Sequence, residues 1–138
     1  MARSKRISVS RGVRVDAYTF TGAELRAANL TAWTAPEAAI ILRATLDITT
    51  VATAACTVDV GYTATSATTS SDTLLDGVDA NAAIAVFDSM NAALDAGANA
   101  KAQKAAAGKW ITIDEASGDA TGMVATLWVE WMPVATLN

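Results

Sequence analysis

The chain has 138 residues, with 10 Lys and Arg against 14 Asp and Glu, for a net charge of −4. That length suits one domain with one core. With no histidine it lacks the commonest general base and metal ligand, and its single cysteine excludes an intrachain disulfide or a Cys-based zinc site.

In chain order, residues 1–14 carry Arg3, Lys5, Arg6, Arg11 and Arg14 and no acid, while residues 15–138 hold five basic and 14 acidic residues, a net of −9. Ile7, Val9, Val13 and Val15 alternate in part, so residues 1–20 read as an extended basic arm and residues 21–138 as a single domain. A basic arm on an acidic body is compatible with docking on an acidic protein surface, with a solvated terminus, or with phosphate contacts. The acidic body repels a polyanion, so nucleic acid is the disfavoured partner. Ile7-Ser8-Val9-Ser10-Arg11 follows the basic start where a secretory signal has its apolar segment, so no signal is expected. The best apolar stretch, Ala38 to Leu42, is broken by Arg43 and falls far short of the roughly 20 residues that span a bilayer. A soluble protein made in a cytoplasm, with no membrane partner, is the expectation.

Ala23 to Ala28 suits a helical turn, and Thr34-Ala35-Pro36 a connection. Ala38 to Ile48 predicts a strand with Ile40, Leu42, Ala44, Leu46 and Ile48 on one face and Ile41, Arg43, Thr45 and Asp47 on the other. Cys56 to Thr63 predicts another, with Cys56, Val58, Val60 and Tyr62 facing the core. Cys56 therefore reads as a small buried hydrophobe. Ala64 to Ser71 has only small residues and reads as a surface loop, and Asp72 to Asp79 as a loop anchored by Leu74, Leu75 and Val78. Over residues 80–96, Ile84, Phe87, Met90, Asn91 and Leu94 follow helical spacing between Asp79 as N-cap and Gly97 as stop, which predicts one short helix. Ala98 to Gly108 suits a helix or a loop. Lys109 to Asp114 is a strand, Ala116 to Gly122 a turn, and Met123 to Met132 the longest strand. Met123, Ala125, Leu127, Val129 and Trp131 share one face of that last strand; Val124, Thr126, Trp128, Glu130 and Met132 share the other. Large residues on both faces predict that one packs in the core, and that Trp128, Glu130 and Met132 meet a second layer or a neighbouring subunit. Strands separated by turn signals predict a mainly β protein, an antiparallel β-sandwich.

Catalytic groupings fail on inspection. Asp72, Asp76 and Asp79 lack the spacing of a calcium loop, and Asp76-Gly77 makes a turn. Asp114, Glu115 and Asp119 flank a hairpin without a cleft of aromatic platforms. Gly118 to Gly122 has no Lys and leads into a strand, so it is no phosphate loop, and no Ser sits in a nucleophile elbow. No catalytic residue, metal site or cofactor is expected. Trp33 and Trp128 are the residues a sugar-binding surface would use. Of the hydrophobic residues 32 are alanine and 40 are larger, so burial gains little per residue at about 25 cal/mol per Å², and further burial against partner subunits is expected.

The strand Thr57-Val58-Asp59-Val60-Gly61-Tyr62, the segment Asp72-Thr73-Leu74-Leu75-Asp76-Gly77-Val78-Asp79, and the pair Lys109 to Ile113 and Ser117-Gly118-Asp119-Ala120-Thr121-Gly122 leading into Met123 to Trp131 resemble, in that order, a family of tailed-phage structural proteins. These are the small capsid decoration, or cement, proteins and related jelly-roll head proteins. The resemblance spans residues 38–134. It implies a jelly-roll sandwich without enzymatic activity that forms homotrimers on the outer surface of the virion head. There such trimers clamp adjacent major capsid protein subunits. It also implies that the arm, with Arg3, Lys5, Arg6, Arg11 and Arg14, meets acidic capsid surface. A carbohydrate- or receptor-binding module of a head fibre or tail adhesin, and a tail-tube or connector protein, are the alternatives.

Overall fold

A computed structural model describes residues 12–90 and 102–134. They form two antiparallel sheets packed face to face. The strands are β1 (Arg14–Thr21), β2 (Leu30–Thr34), β3 (Ala39–Thr50), β4 (Cys56–Thr63), β5 (Leu75–Asp79), β6 (Ala85–Asp88), β7 (Gln103–Ala105), β8 (Trp110–Gly118) and β9 (Val124–Pro133). One sheet has the order β1-β9-β3-β6, with β7 also on β3; the other has β2-β8-β4-β5. Successive strands therefore pass from sheet to sheet, except β4 to β5 and β6 to β7, and the last strand returns beside the first. That is the jelly-roll arrangement, with one strand position divided between β6 and β7 on the same edge of β3. The β-sandwich expected from the sequence is the fold.

The core comes from alternation. On β9, Ala125, Leu127, Val129 and Trp131 are buried, as is Met123 before it, while Trp128 on the opposite face is exposed. The predicted faces of this strand hold along its whole length. On β4 the expected alternation holds through Cys56, Val58 and Val60. Burial raises the pKa of the Cys56 thiol, with Glu115, Asp79 and Asp119 adding to the effect, which leaves it protonated and unreactive. On β3 the first half is reversed. Ala39 and Ile41 are buried, then Ala44, Leu46 and Ile48. A bulge between Ile41 and Arg43 in the pairing with β9 inserts the extra residue that changes the phase.

Two other expectations change. Residues 80–90 are not helical: Ala85–Asp88 pairs with β3, Phe87 opposite Leu46, because the open edge of β3 supplies backbone partners that a lone short helix lacks. Asp79 still caps, with Oδ1 accepting the N–H groups of Asn81 at 3.0 Å and Ala82 at 3.1 Å, but the result is a turn. The remainder of that predicted helix, from Asn91 on, lies outside the described residues. The segment from Leu75 to Asp79 is a strand and not a loop, although Leu74, Leu75 and Val78 are buried as expected. The helical turn expected at Ala23 to Ala28 forms, as α1 (Gly22–Ala27), closed by a capping box in which the Glu24 N–H donates to Thr21 Oγ1 and Glu24 Oε2 accepts the Thr21 N–H at 2.8 Å.

Arg26 joins α1 to the β8–β9 turn, 3.3 Å from Glu115 and 3.0 Å from Asp119. At the turn Gly118 has φ 82°, and a Cβ there would stand 2.0 Å from the Ala55 carbonyl oxygen. Glycine is required on both counts. The three carboxylates weighed as one cluster are thus divided: Glu115 and Asp119 serve the turn, while Asp114 faces the other way.

Candidate functional site

Two surfaces carry unusual chemistry, one on the outer face of each sheet. Register builds the first. Residues opposite each other in an antiparallel pair share a face, so β1, β9 and β3 set Val15 beside Glu130 beside Arg43, and Ala17 beside Trp128 beside Thr45. Asp88 of β6 extends the second row opposite Thr45, and Val86 stands in the next row opposite Asp47. Trp128 is 43% exposed because its cross-strand neighbours, Ala17 and Thr45, are too small to cover an indole. Val15 and Val86 are exposed nearby. Arg43 Nε lies 3.5 Å from Asp88 and 3.6 Å from Glu130, a charged border to this apolar ground. Met132 continues the face opposite Ile40, half-buried. Trp128, Glu130 and Met132 therefore share one outward surface of a central strand.

The predicted arm residues Arg3, Lys5, Arg6 and Arg11 lie outside the described residues. The boundary drawn at residue 20 falls inside the sandwich, since β1 begins at Arg14. The Arg14 guanidinium lies over the Trp131 ring, 5.4 Å from its centroid. Beside it, Asp16 Oδ2 accepts the indole N–H of both Trp33 and Trp131, each at 2.8 Å. The two rings are 5.6 Å apart between centroids, and they come from opposite sheets. Trp33 is 5% exposed and engaged here, so of the two tryptophans considered for stacking on a sugar only Trp128 is accessible.

The second surface is the outer face of β2-β8-β4-β5. The small-residue segment 64–73 does not project from it but lies flat on it. Thr112 Oγ1 donates to the Thr69 carbonyl at 2.7 Å, Asn29 Nδ2 to Thr68 at 3.0 Å, Ser71 Oγ to Tyr62 at 2.9 Å, and Thr31 to the Ala67 carbonyl. Gly61 permits this approach, since a Cβ there would stand 2.2 Å from Ser71 Oγ. The Ala/Thr/Ser composition that marked a loop is thus also the composition that packs closely against strand backbone.

This loop brings Asp72 onto the sheet. Carboxylate oxygens of Asp59 in β4, Asp72 in the loop and Asp76 in β5 lie within 4.8 Å of one another. Asp114 stands directly opposite Asp59 on β8. Asp59 Oδ1 accepts the Gly77 N–H at 2.7 Å. The sequence grouping of Asp72, Asp76 and Asp79 missed Asp59 and Asp114, whose approach depends on strand register, and included Asp79, which caps its own turn.

Burial raises the pKa of Asp59, with the neighbouring Asp76 and Asp72 charges adding to it against the Gly77 hydrogen bond. Burial likewise raises Asp114, with Asp59 and Asp72 adding to it against the hydrogen bonds from Ser70 and Ser71. Both carboxylates hold a proton more tightly folded than unfolded. The stability they contribute is therefore complete below the ordinary value of 3.8 and is lost as pH rises through their raised values. Asp59→Asn keeps an acceptor for Gly77 but not the charge. In metal-free buffer it should melt higher than the parent at neutral pH, and the gap should close towards about pH 4. Thermal unfolding across that range checks this; a gap independent of pH would contradict it.

No protein-family model and no curated protein matches this sequence. Among solved structures, the fold is similar to a chain of the acid-stable capsid of Helicobacter pylori bacteriophage KHP30, with 15% identity, 91% of this chain and 90% of that chain covered, and a TM-score of 0.54. It is also similar to a chain of the cyanophage Pam1 capsid asymmetric unit, with 23% identity, 90% and 86% covered, and a TM-score of 0.56. At these identities the likeness is one of fold.

Proposed function

We propose that this chain is a non-enzymatic bacteriophage virion protein that decorates the outside of the head as a homotrimer and cements contacts between major capsid protein subunits. The observation that carries the reading is the end-to-end match of its sandwich to chains of two phage capsid structures, over about nine-tenths of each partner. The chemistry agrees: no histidine anywhere, a basic start on an acidic body, and an exposed Trp128 on a small-residue sheet face. A clamp binds only the assembled shell, so it stabilises that state by mass action, and a trimer multiplies a weak contact into firm attachment.

The roles divide by surface. Trp128, with Glu130 and Met132 beside it, contacts a neighbouring copy. Arg3, Lys5, Arg6 and Arg11 reach acidic capsid surface; Arg14 keeps its place over Trp131 and sets the base of the arm. Deleting residues 1–11, which spares β1, should leave oligomeric state and melting temperature unchanged and weaken binding to purified heads. Unchanged occupancy on the heads would remove the arm from the mechanism. Trp128→Asp should dissociate the oligomer, since a central aromatic at an interface is worth about 2 kcal/mol or more, roughly 30-fold in association. Sedimentation of both proteins at matched concentrations measures it. A second reading, a glycan-binding module, rests on the exposure of Trp128; under it the same variant loses glycan binding and keeps its oligomeric state.

A further inference from the structure

The acidic cluster on the outer face of the second sheet is not used by the decoration role. Three carboxylates, from β4, the loop and β5, converge within 4.8 Å. Such convergence is common on surfaces and says little alone. The second observation is Asp114. It is 7% exposed, stands opposite Asp59 on the same face, and has a carboxylate oxygen, Oδ1, that is buried without any hydrogen-bond partner. A buried acceptor left unmet is costly, and one set opposite the Asp59 carboxylate is a place where a cation would be held. Among the described residues no Lys or Arg forms an ion pair with Asp59, Asp76 or Asp114.

We propose that Asp59, Asp72 and Asp76 bind a hard divalent cation, calcium, with Asp114 as the flanking buried carboxylate. The donor set is all oxygen, which suits calcium or magnesium and not a soft metal. Calcium is favoured because it accepts irregular geometry, such as carboxylates gathered from two strands and a loop, whereas magnesium demands a near-ideal octahedron. The ion has a mechanical consequence. Asp59 belongs to β4, Asp76 to β5, and Asp72 to the end of the 64–73 loop. One cation would pin that loop to the sheet and relieve the mutual repulsion of the carboxylates. The site lies on the sheet opposite to Trp128, so it stands or falls independently of the capsid role.

The test uses the full chain, stripped with chelator and titrated with calcium chloride in a calorimeter. Expected is saturable binding of one ion per chain, with a dissociation constant on the order of 10⁻⁴ M, a rise in melting temperature, and slower proteolytic cutting within residues 64–73. Magnesium should bind at least tenfold more weakly. Asp59→Asn and Asp76→Asn should each weaken calcium binding tenfold or more. Asp47→Asn, in the other sheet, should leave it unchanged and serves as the control for general surface charge. Because Asn preserves size and an acceptor oxygen, circular dichroism of each variant confirms that the sandwich is intact; should one fail to fold, the other decides. No heat and no thermal shift at millimolar calcium, or equal binding by the Asp59 and Asp76 variants and the parent, would overturn the site.

Discussion

Replacing Leu127 with alanine is expected to lower the unfolding free energy by about 2–5 kcal/mol, the range for emptying a fully buried leucine site. Leu127 is 0% exposed and sits on β9, between β1 and β3, opposite Tyr18 and Leu46. Neither neighbouring strand can close the gap without breaking its own ladder with β9, so the cavity persists. The adjacent residue gives the contrast. Trp128→Ala removes a larger side chain, yet 43% of it is already in water, and the loss for the isolated chain should stay within about 1 kcal/mol. Urea unfolding of both variants, below the concentration at which the chain associates, measures the two values. Similar costs would mean that the two faces of β9 are not as distinct as the register requires.

The second large effect is expected from Asp16→Ala, at about 2–6 kcal/mol. Asp16 itself is exposed, and by burial alone the change should be nearly silent. Its cost comes from its partners. Trp33 and Trp131 are 5% and 2% exposed, and each gives its indole N–H to the same carboxylate oxygen. Without that oxygen two buried donors are unmet, each worth about 1–3 kcal/mol. The two rings belong to opposite sheets, so the loss also loosens the join between layers. Trp33→Phe in the Asp16→Ala background separates the contributions. If the hydrogen bonds carry the cost, the double variant should be far less damaged than the sum of the singles. Additive costs would point to packing instead.

Strands with one wet and one dry face were the legible part of this chain. β9 showed its two faces in its residue order, and β4 did so as far as Val60, because a period of two follows directly from the pleat. Where a neighbour intervened, the pattern misled. The bulge between Ile41 and Arg43 shifted the phase of β3. The helical spacing of Ile84, Phe87 and Met90 lost to the open edge of β3, and Asp76-Gly77, a plausible loop turn, became part of a strand on β4. In each case hydrogen bonds to a distant strand outweighed a local preference worth tenths of a kilocalorie. The outward row of Trp128, Glu130 and Met132 was readable for the same reason as the core, whereas its small neighbours Ala17 and Thr45, which leave the indole bare, were not.

The amino-acid order alone determined the class of the fold, the core face of β9, the lack of imidazole and intrachain disulfide chemistry, and the separation of a basic start from an acidic body. Those properties are local or compositional, and need no partner to be expressed. Tertiary structure alone decided which acids meet. Asp59, Asp72, Asp76 and Asp114 are scattered over 56 positions of chain, and only the pairing of β4 with β5 and β8, with a loop of small residues pressed onto the sheet, carries them to one place. Register is settled by many weak contacts between remote segments, and no short stretch of residues contains that information.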